Sequence, residues 1–274
     1  MSEHEQVKAS PLGQETAYVN EYDPSLLYPI ARDLNWEAKG VKRATLPFRG
    51  VDIWNAYEVS WLDRGGKPVV RLAEFRIPAN SPNIIESKSF KLYLNSYNLS
   101  RFESEADVVA SMQRDLSAAA GAQVDVRLSS MSEPVEVCQL KGLCLDELPL
   151  NVEHYTPAPE LLSATGPVAD ETLVSHLLKS NCPVTGQPDW ASIQIRYKGP
   201  KIDHTGLLAY LISYREHGDF HEQCVENIFM DIWQRCRPQK LSVYARYVRR
   251  GGLDINPYRS SMNDAPVNVR LARQ

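Results

Sequence analysis

Apolar and polar positions alternate along several stretches of this chain. Tyr57-Glu58-Val59-Ser60-Trp61-Leu62 alternates, Asp63 to Pro68 carries turn chemistry, and Val69 to Ile77 returns. The pattern predicts a β-hairpin whose extended character begins at Asp52. Ile84 to Tyr97 reads as a further extended segment. Ser100-Arg101-Phe102-Glu103 has the S-x-x-E form of a capping box. Val109, Met112 and Leu116 then share one face of a helix that ends near Ala120-Gly121. Val124 to Leu128 alternates again as a strand.

The second half repeats this order more loosely. Pro157, Pro159, Gly166 and Pro167 mark Tyr155 to Ala169 as a linker. Glu171 to Lys179 reads as a helix with Leu173, Leu177 and Leu178 inward, and Ser180 to Asp189 as a loop. Ser192 to Tyr197 is an alternating strand, and Leu207 to Tyr214 a second, more buried one. Asp219-Phe220-His221-Glu222 opens a helix lined by Val225, Ile228, Phe229 and Ile232. Leu241, Val243 and Ala245 alternate in a closing strand that runs to Val248. Residues 1 to about 45, punctuated by Pro11, Gly13, Pro24 and Pro29, read mostly as loop. The expected fold class is α+β, with two related modules at 1–155 and 156–274. Each module would be an antiparallel sheet with helices on one face.

Composition narrows the function. Of 274 residues, 43% are apolar and 23% charged, so the chain is globular rather than disordered. The balance of 30 basic and 34 acidic residues gives −4, which disfavours a general nucleic-acid binder. The longest apolar run, Leu207 to Ile212, is far short of the roughly 20 residues of a membrane span. The start Met1 to Gln6 is polar and acidic, unlike a secretory signal. Five cysteines without C-x-x-C fit reduced thiols in the cytoplasm, and their spacing predicts no zinc site. Neither G-x-G-x-x-G nor a P-loop occurs, so any nucleotide must be held another way.

Four segments could carry chemistry. Cys182 and Asp189 bracket a loop shaped by Pro183, Gly186 and Pro188, and could face one cavity as nucleophile and proton carrier. The structural alternative is a half-buried turn cysteine with an aspartate turn former. His221-Glu222 opens a helix, where an ionised carboxylate could accept the two N–H groups of a guanine-like edge while Phe220 and His221 pack on the ring. Glu222 could otherwise complete a capping box. Glu86, Lys88 and Phe90 fall on one face of the expected strand, and Ser87, Ser89 and Lys91 on the other. Charges on both faces suggest either a ligand contact or a protected edge strand. Arg246, Arg249 and Arg250 with Gly251-Gly252 form the one dense basic cluster, suited to phosphate or to solvent.

Together these segments resemble the NADPH-dependent 7-cyano-7-deazaguanine reductases of queuosine biosynthesis. Glu86 to Leu94 looks like the family motif E-S-K-S-x-K-L-Y-L, Ser180-Asn181-Cys182 with Gln187 to Trp190 like its catalytic loop, Phe220 to Cys224 like its substrate-recognition segment, and Arg249 to Pro257 like its C-terminal signature. The resemblance runs from about Leu46 onward, and more loosely before it. It implies tandem tunnelling-fold modules, a homodimer, no metal, and reduction of a nitrile to a primary amine by two NADPH. Cys182 would form a covalent thioimide and Asp189 would act as general acid. Phe220, His221 and Glu222 would hold the deazapurine, with Ile85, Glu86 and Ser87 contributing from the other module. Ser87, Lys88, Arg250 and Gly251 would meet NADPH. The alternatives are a non-reductive enzyme of the same fold, a nitrile hydrolase or amidinotransferase, and a purine-binding module. A protein acting directly on tRNA is disfavoured by the charge.

Overall fold

The computed structural model describes residues 18–274, together with Ala9; the expectations for Met1 to Gln6, Pro11 and Gly13 lie outside them. The chain forms two compact units. One holds the described residues up to Leu46, then Asp52–Val135 and Arg249–Asp254. The other holds Pro47–Val51, Glu136–Val248 and Ile255–Gln274.

The first unit contains β1 (Pro29–Ala31), α1 (Asp33–Ala38), β2 (Arg49–Leu62) from Asp52 on, β3 (Pro68–Pro78), β4 (Asn83–Ile85), α2 (Ser87–Ser96), α3 (Glu105–Ala120) and β5 (Asp125–Ser129). β1 and α1 replace part of the expected N-terminal loop. β2 and β3 form the expected hairpin, and β5 pairs antiparallel with β3 from Leu72↔Ser129 to Arg76↔Asp125. The inward face of the hairpin meets the helices: the Phe90 ring lies 4.9 Å from Trp54 and 5.0 Å from Phe75.

Two local expectations change here. The extended reading of Ile84 to Tyr97 holds only as far as β4; α2 follows. Its motif is helical because Glu86 caps it, accepting from the N–H of Lys88 at 2.6 Å and of Ser89 at 2.8 Å. Phe90, Tyr93, Leu94 and Tyr97 then recur at helical spacing as core residues. α3 starts later than expected: its cap is Ser104, whose Oγ accepts from Asp107 N–H at 3.2 Å. This rotates Val108 rather than Val109 into the core with Met112 and Leu116. Gly121, at φ 70°, ends the helix as expected.

The second unit contains β6 (Val137–Cys138), β7 (Leu143–Cys144), β8 (Ala164–Asn181), β9 (Pro188–Ile202), α4 (His204–Ser213), α5 (His221–Cys236), β10 (Lys240–Tyr247), β11 (Leu253–Ser260) from Ile255 on, and β12 (Arg270–Leu271). Its strands are ordered β11-β10-β9-β8-β7. β9 pairs antiparallel with both β8 and β10. Ile193, Ile195 and Tyr197 of β9 and Leu241, Val243, Ala245 and Tyr247 of β10 are buried, as are Val225, Ile228, Phe229 and Ile232 of α5.

Four readings are corrected in this unit. Glu171 to Lys179 is strand, not helix, and the linker reading gives way to β8 from Ala164 onward. A register shift between Ser175 and Leu178 breaks the alternation and places leucines at helix-like intervals. Leu207 to Tyr214 is helix, not strand: Asp203 caps α4 through the N–H groups of Thr205 (3.2 Å) and Gly206 (3.0 Å). A short apolar run has no period that separates the two states. The cap of α5 is Phe220 rather than Asp219, and its N–H donates to Gln223 Oε1 at 3.3 Å.

A repeat finer than the expected one relates the units. Tyr93-Leu94-Asn95-Ser96-Tyr97 in and just after α2 matches Tyr210-Leu211-Ile212-Ser213-Tyr214 in and just after α4. Tyr93 donates to Asp115 at 2.8 Å and Tyr210 to Asp231 at 2.6 Å, each phenol also bonding the next tyrosine of its pair. Ser96 Oγ accepts from Asp23 N–H at 3.2 Å, and Ser213 Oγ from Ala158 N–H at 3.1 Å. Glu86 N–H donates to Tyr28 O and Asp203 N–H to Ser163 O, both at 2.9 Å. Glu86 and Asp203 are thus counterparts, capping equivalent helices.

Candidate active site

In the second unit the β8–β9 hairpin presents the nucleophile candidate. The register pairs Ser180 with Asp189 and Asn181 with Pro188. Opposed residues share a face and side chains repeat every second position, so Cys182, Ser180 and Asp189 lie on one face of the hairpin. Cys182 stands at the head of the turn. Its N–H donates to Gln187 O at 2.8 Å, and its carbonyl accepts from Gly186 N–H at 3.0 Å. The thiol is half-buried, whereas Asp189 and Ser180 are buried. The element leading to Cys182 is the strand β8, in place of the helix read from the sequence.

The start of α5 supplies the next residues. Nε2 of His221 lies 3.3 Å from Asp189 Oδ2, while its Nδ1 is buried without a hydrogen-bond partner. The imidazole stacks on Tyr247 of β10, with ring centroids 3.7 Å apart and planes 3° from parallel. Glu222 and Phe220 are buried beside it in sequence, at the second helical position and the cap. The amino end of α5 favours negative charge on Glu222. Behind this face Cys224 meets Ser180 and Tyr247, and burial pushes its thiol well up.

The first unit gathers the other motif residues. Glu86 is fully buried, and burial raises its carboxyl above the usual value; the Lys88 and Ser89 N–H groups pull the other way. Ser87 Oγ lies 3.4 Å from Glu86 Oε1. Ile85 is a core residue paired with Pro29. Near the start of α2 runs the turn Arg249-Arg250-Gly251-Gly252. Its glycines have φ of 57° and 81°, and a Cβ on Gly251 would touch Lys91 Cδ at 3.3 Å. Such a backbone suits glycine. Arg249 covers the Tyr57 ring at 4.5 Å.

This set fits the pyrophosphate of a dinucleotide: Lys88, Lys91, Arg249 and Arg250 supply cations around a side-chain-free turn. Arg246, grouped with them from the sequence, belongs instead to the second unit and is buried. Lys91 and Tyr247 were not singled out as site residues. The signal for Tyr247 was the β10 alternation itself, since Leu241, Val243 and Ala245 lead to it by parity.

Among the described residues, two groups bring Cys, Asp and His ligand atoms within 4.8 Å of one another, Cys144–Asp146–His176 and His217–Asp219–Cys224. Hydrogen bonds engage both carboxylates. Asp146 accepts from Ser175 Oγ at 2.7 Å and His176 N–H at 3.0 Å, while Asp219 contacts His217 Nε2 and Asn227 Nδ2, both at 3.1 Å. No described helix is long and apolar enough to cross a membrane.

Comparison with known proteins gives concordant matches. A family model described as "Nitrile reductase, 7-cyano-7-deazaguanine-reductase N-term" matches residues 18–128, and one described as "QueF-like protein" matches residues 188–266. The NADPH-dependent 7-cyano-7-deazaguanine reductase of Chromobacterium violaceum is 57% identical over 269 residues, 97% of this chain and 96% of the relative. The enzyme of the same name from Bordetella avium is also 57% identical over 269 residues, 97% of this chain and 98% of the relative.

Proposed function

This chain belongs to the NADPH-dependent 7-cyano-7-deazaguanine reductase family, and from that premise we propose how its residues reduce the nitrile of 7-cyano-7-deazaguanine to an aminomethyl group. The observation that carries the reading is the hairpin face shared by Cys182 and Asp189, with His221 3.3 Å from the carboxylate.

Cys182 adds through sulfur to the electrophilic nitrile carbon. One π bond opens, the nitrogen takes a proton delivered by Asp189, and a covalent thioimide forms. Two equivalents of NADPH, used in turn, each supply one hydride to that carbon. After the first, the carbon–sulfur bond breaks with its electron pair on sulfur, releasing the thiolate and leaving an imine. After the second, protonation at nitrogen completes the amine. A free imine hydrolyses, so the buried Phe220 and Glu222, with the half-buried His221 between them, also serve to exclude water. His221, stacked on Tyr247, orients Asp189 for the proton transfers.

Glu222 accepts the paired N–H groups of the deazaguanine edge, and Phe220 and His221 pack on its ring. Ile85, Glu86 and Ser87 act on the same substrate, with Glu86 helping to hold the imine. Ser87, Lys88, Arg250 and Gly251 hold NADPH, the cations facing its phosphates. The enzyme works in the cytoplasm as a homodimer of tandem-module chains (residues 1–155 and 156–274), requires no metal and binds the free base rather than nucleic acid.

The test is NADPH oxidation with 7-cyano-7-deazaguanine, comparing the parent with Cys182→Ala. Two NADPH consumed per nitrile, absent in the variant, supports the reading. Consumption by the variant overturns the nucleophile.

A further inference from the structure

We propose that Gln274 is a positioning residue for the Asp189–His221 pair, acting through Tyr247; this rests on the assignment of Asp189 as proton donor above. Gln274 is buried, and its amide uses all four of its hydrogen-bonding positions. Oε1 accepts from Arg246 Nε at 3.0 Å and from Leu271 N–H at 3.1 Å. Nε2 donates to Tyr247 O at 3.1 Å and to Asn256 Oδ1 at 2.8 Å. The same Asn256 oxygen accepts from Tyr247 N–H at 3.2 Å. Two side-chain amides therefore take both backbone polar groups of Tyr247, the last residue of β10, where the chain turns towards Arg249.

The backbone of Tyr247 matters because its ring is the platform for His221. A stack at 3.7 Å and 3° leaves the imidazole little freedom to tilt, and its Nε2 faces Asp189. β9 ties the same region from the other side, with Val248 N–H donating to Trp190 O at 2.9 Å, next to Asp189. Releasing the Gln274 clamp lets Tyr247 slide. The imidazole then leaves the carboxylate, and the proton delivered to nitrogen is misplaced while Cys182 and the NADPH residues stay as they are. A misplacement of about 1 Å at a reacting group costs up to about a hundredfold.

Two variants separate this role from simple anchoring. Gln274→Glu keeps the acceptor for Arg246 and Leu271 but loses both donors to Tyr247 and Asn256. Gln274→Met is neutral and fills the space without hydrogen bonds. For each, kcat and KM for nitrile and NADPH are measured across pH, with the melting temperature and, by intact mass, the Cys182 adduct. The expected result is a fall in kcat of about ten- to a hundredfold, a displaced pH profile, an unchanged KM for NADPH and a retained adduct. Combining either variant with Tyr247→Leu should add little, because both act on one element. Parent-like kcat and pH profile in either folded variant overturns the proposal, and so do fully additive losses. If neither variant folds, Gln274 is a folding residue and the proposal falls. The underlying reading fails differently: Asp189→Ala would then keep parental kcat.

Discussion

Nε2 of His221 and the carboxylate of Asp189 meet at 3.3 Å although one residue opens a helix and the other is the second residue of a strand. Neither side chain has its position set by local sequence. The β8–β9 register brings Asp189 opposite Ser180, and the Tyr247 ring holds the imidazole plane. Asp189→Ala should therefore lower kcat by about a hundredfold or more, as for loss of a positioned general acid. KM for the nitrile should change little. Steady-state kinetics checks this, and a parental kcat would refute the acid.

Cys182→Ala should fold normally, because the half-exposed side chain sits in a turn stabilised by backbone bonds to Gln187 and Gly186. It should show no mass increase on incubation with the nitrile and no NADPH oxidation. A covalent adduct in this variant would place the nucleophile elsewhere.

Glu222→Gln keeps the shape of the side chain but replaces one acceptor oxygen with a donor. Hydrogen bonds to a charged group contribute about 1.5–3 kcal/mol, so nitrile binding should weaken about ten- to a hundredfold. NADPH binding should be unchanged. Calorimetric titration of each ligand decides; equal losses for both would remove Glu222 from base recognition.

Glu86 makes a pH-dependent prediction. Burial raises its carboxyl above 4.5, so the folded state holds this proton more tightly than the unfolded chain. Where the folded state binds more protons, stability falls as pH rises. The favourable contribution is thus full below the ordinary glutamate value and is lost as pH climbs through the raised one. Glu86→Gln, which stays neutral, should gain stability relative to the parent as pH rises above about 4.5. Urea unfolding at several pH values would show a constant difference if the group titrated alike in both states.

Tyr93→Phe and Tyr210→Phe each remove a phenol that donates to a buried aspartate. Each should cost about 1–3 kcal/mol, the penalty for stripping a partner from a buried polar group. Turnover of the folded enzyme should be unaffected. Denaturant midpoints and kcat together test this, and a loss of activity at full stability would give these residues another role.

The hairpin of β2 and β3, the strands β5, β9 and β10, and the inward face of α5 were legible because their apolar positions keep one period along their length. Three segments were not. In β8 the irregularity after Ser175 interrupts the period of two, and Leu173, Leu177 and Leu178 fall at helical intervals. In α2 the alternation of Glu86, Lys88 and Phe90 is real, but the Glu86 cap decides the backbone. In α4 an apolar run hides its period, and the signal was the Asp203 cap ahead of it. β11 escaped notice because all of its residues are buried and it contains Pro257, so it shows neither alternation nor an ordinary strand composition. The Cys182–Asp189 hairpin and the Phe220–Glu222 segment were legible as motifs, whereas the stacking of His221 on Tyr247 depends on tertiary geometry that no spacing encodes.

The repeated tyrosine–aspartate brace carries a consequence for how the chain has diverged. Both braces hold a capped helix in the same way, yet one helix opens Ser87-Lys88-Ser89 and the other His204-Thr205-Gly206. What is shared is the support, and what differs is the sequence at the amino end of the helix. A duplicated scaffold of this kind can keep its load-carrying residues identical while selection specialises one copy of the tip, so a substitution tolerated at His204 says nothing about tolerance at Ser87.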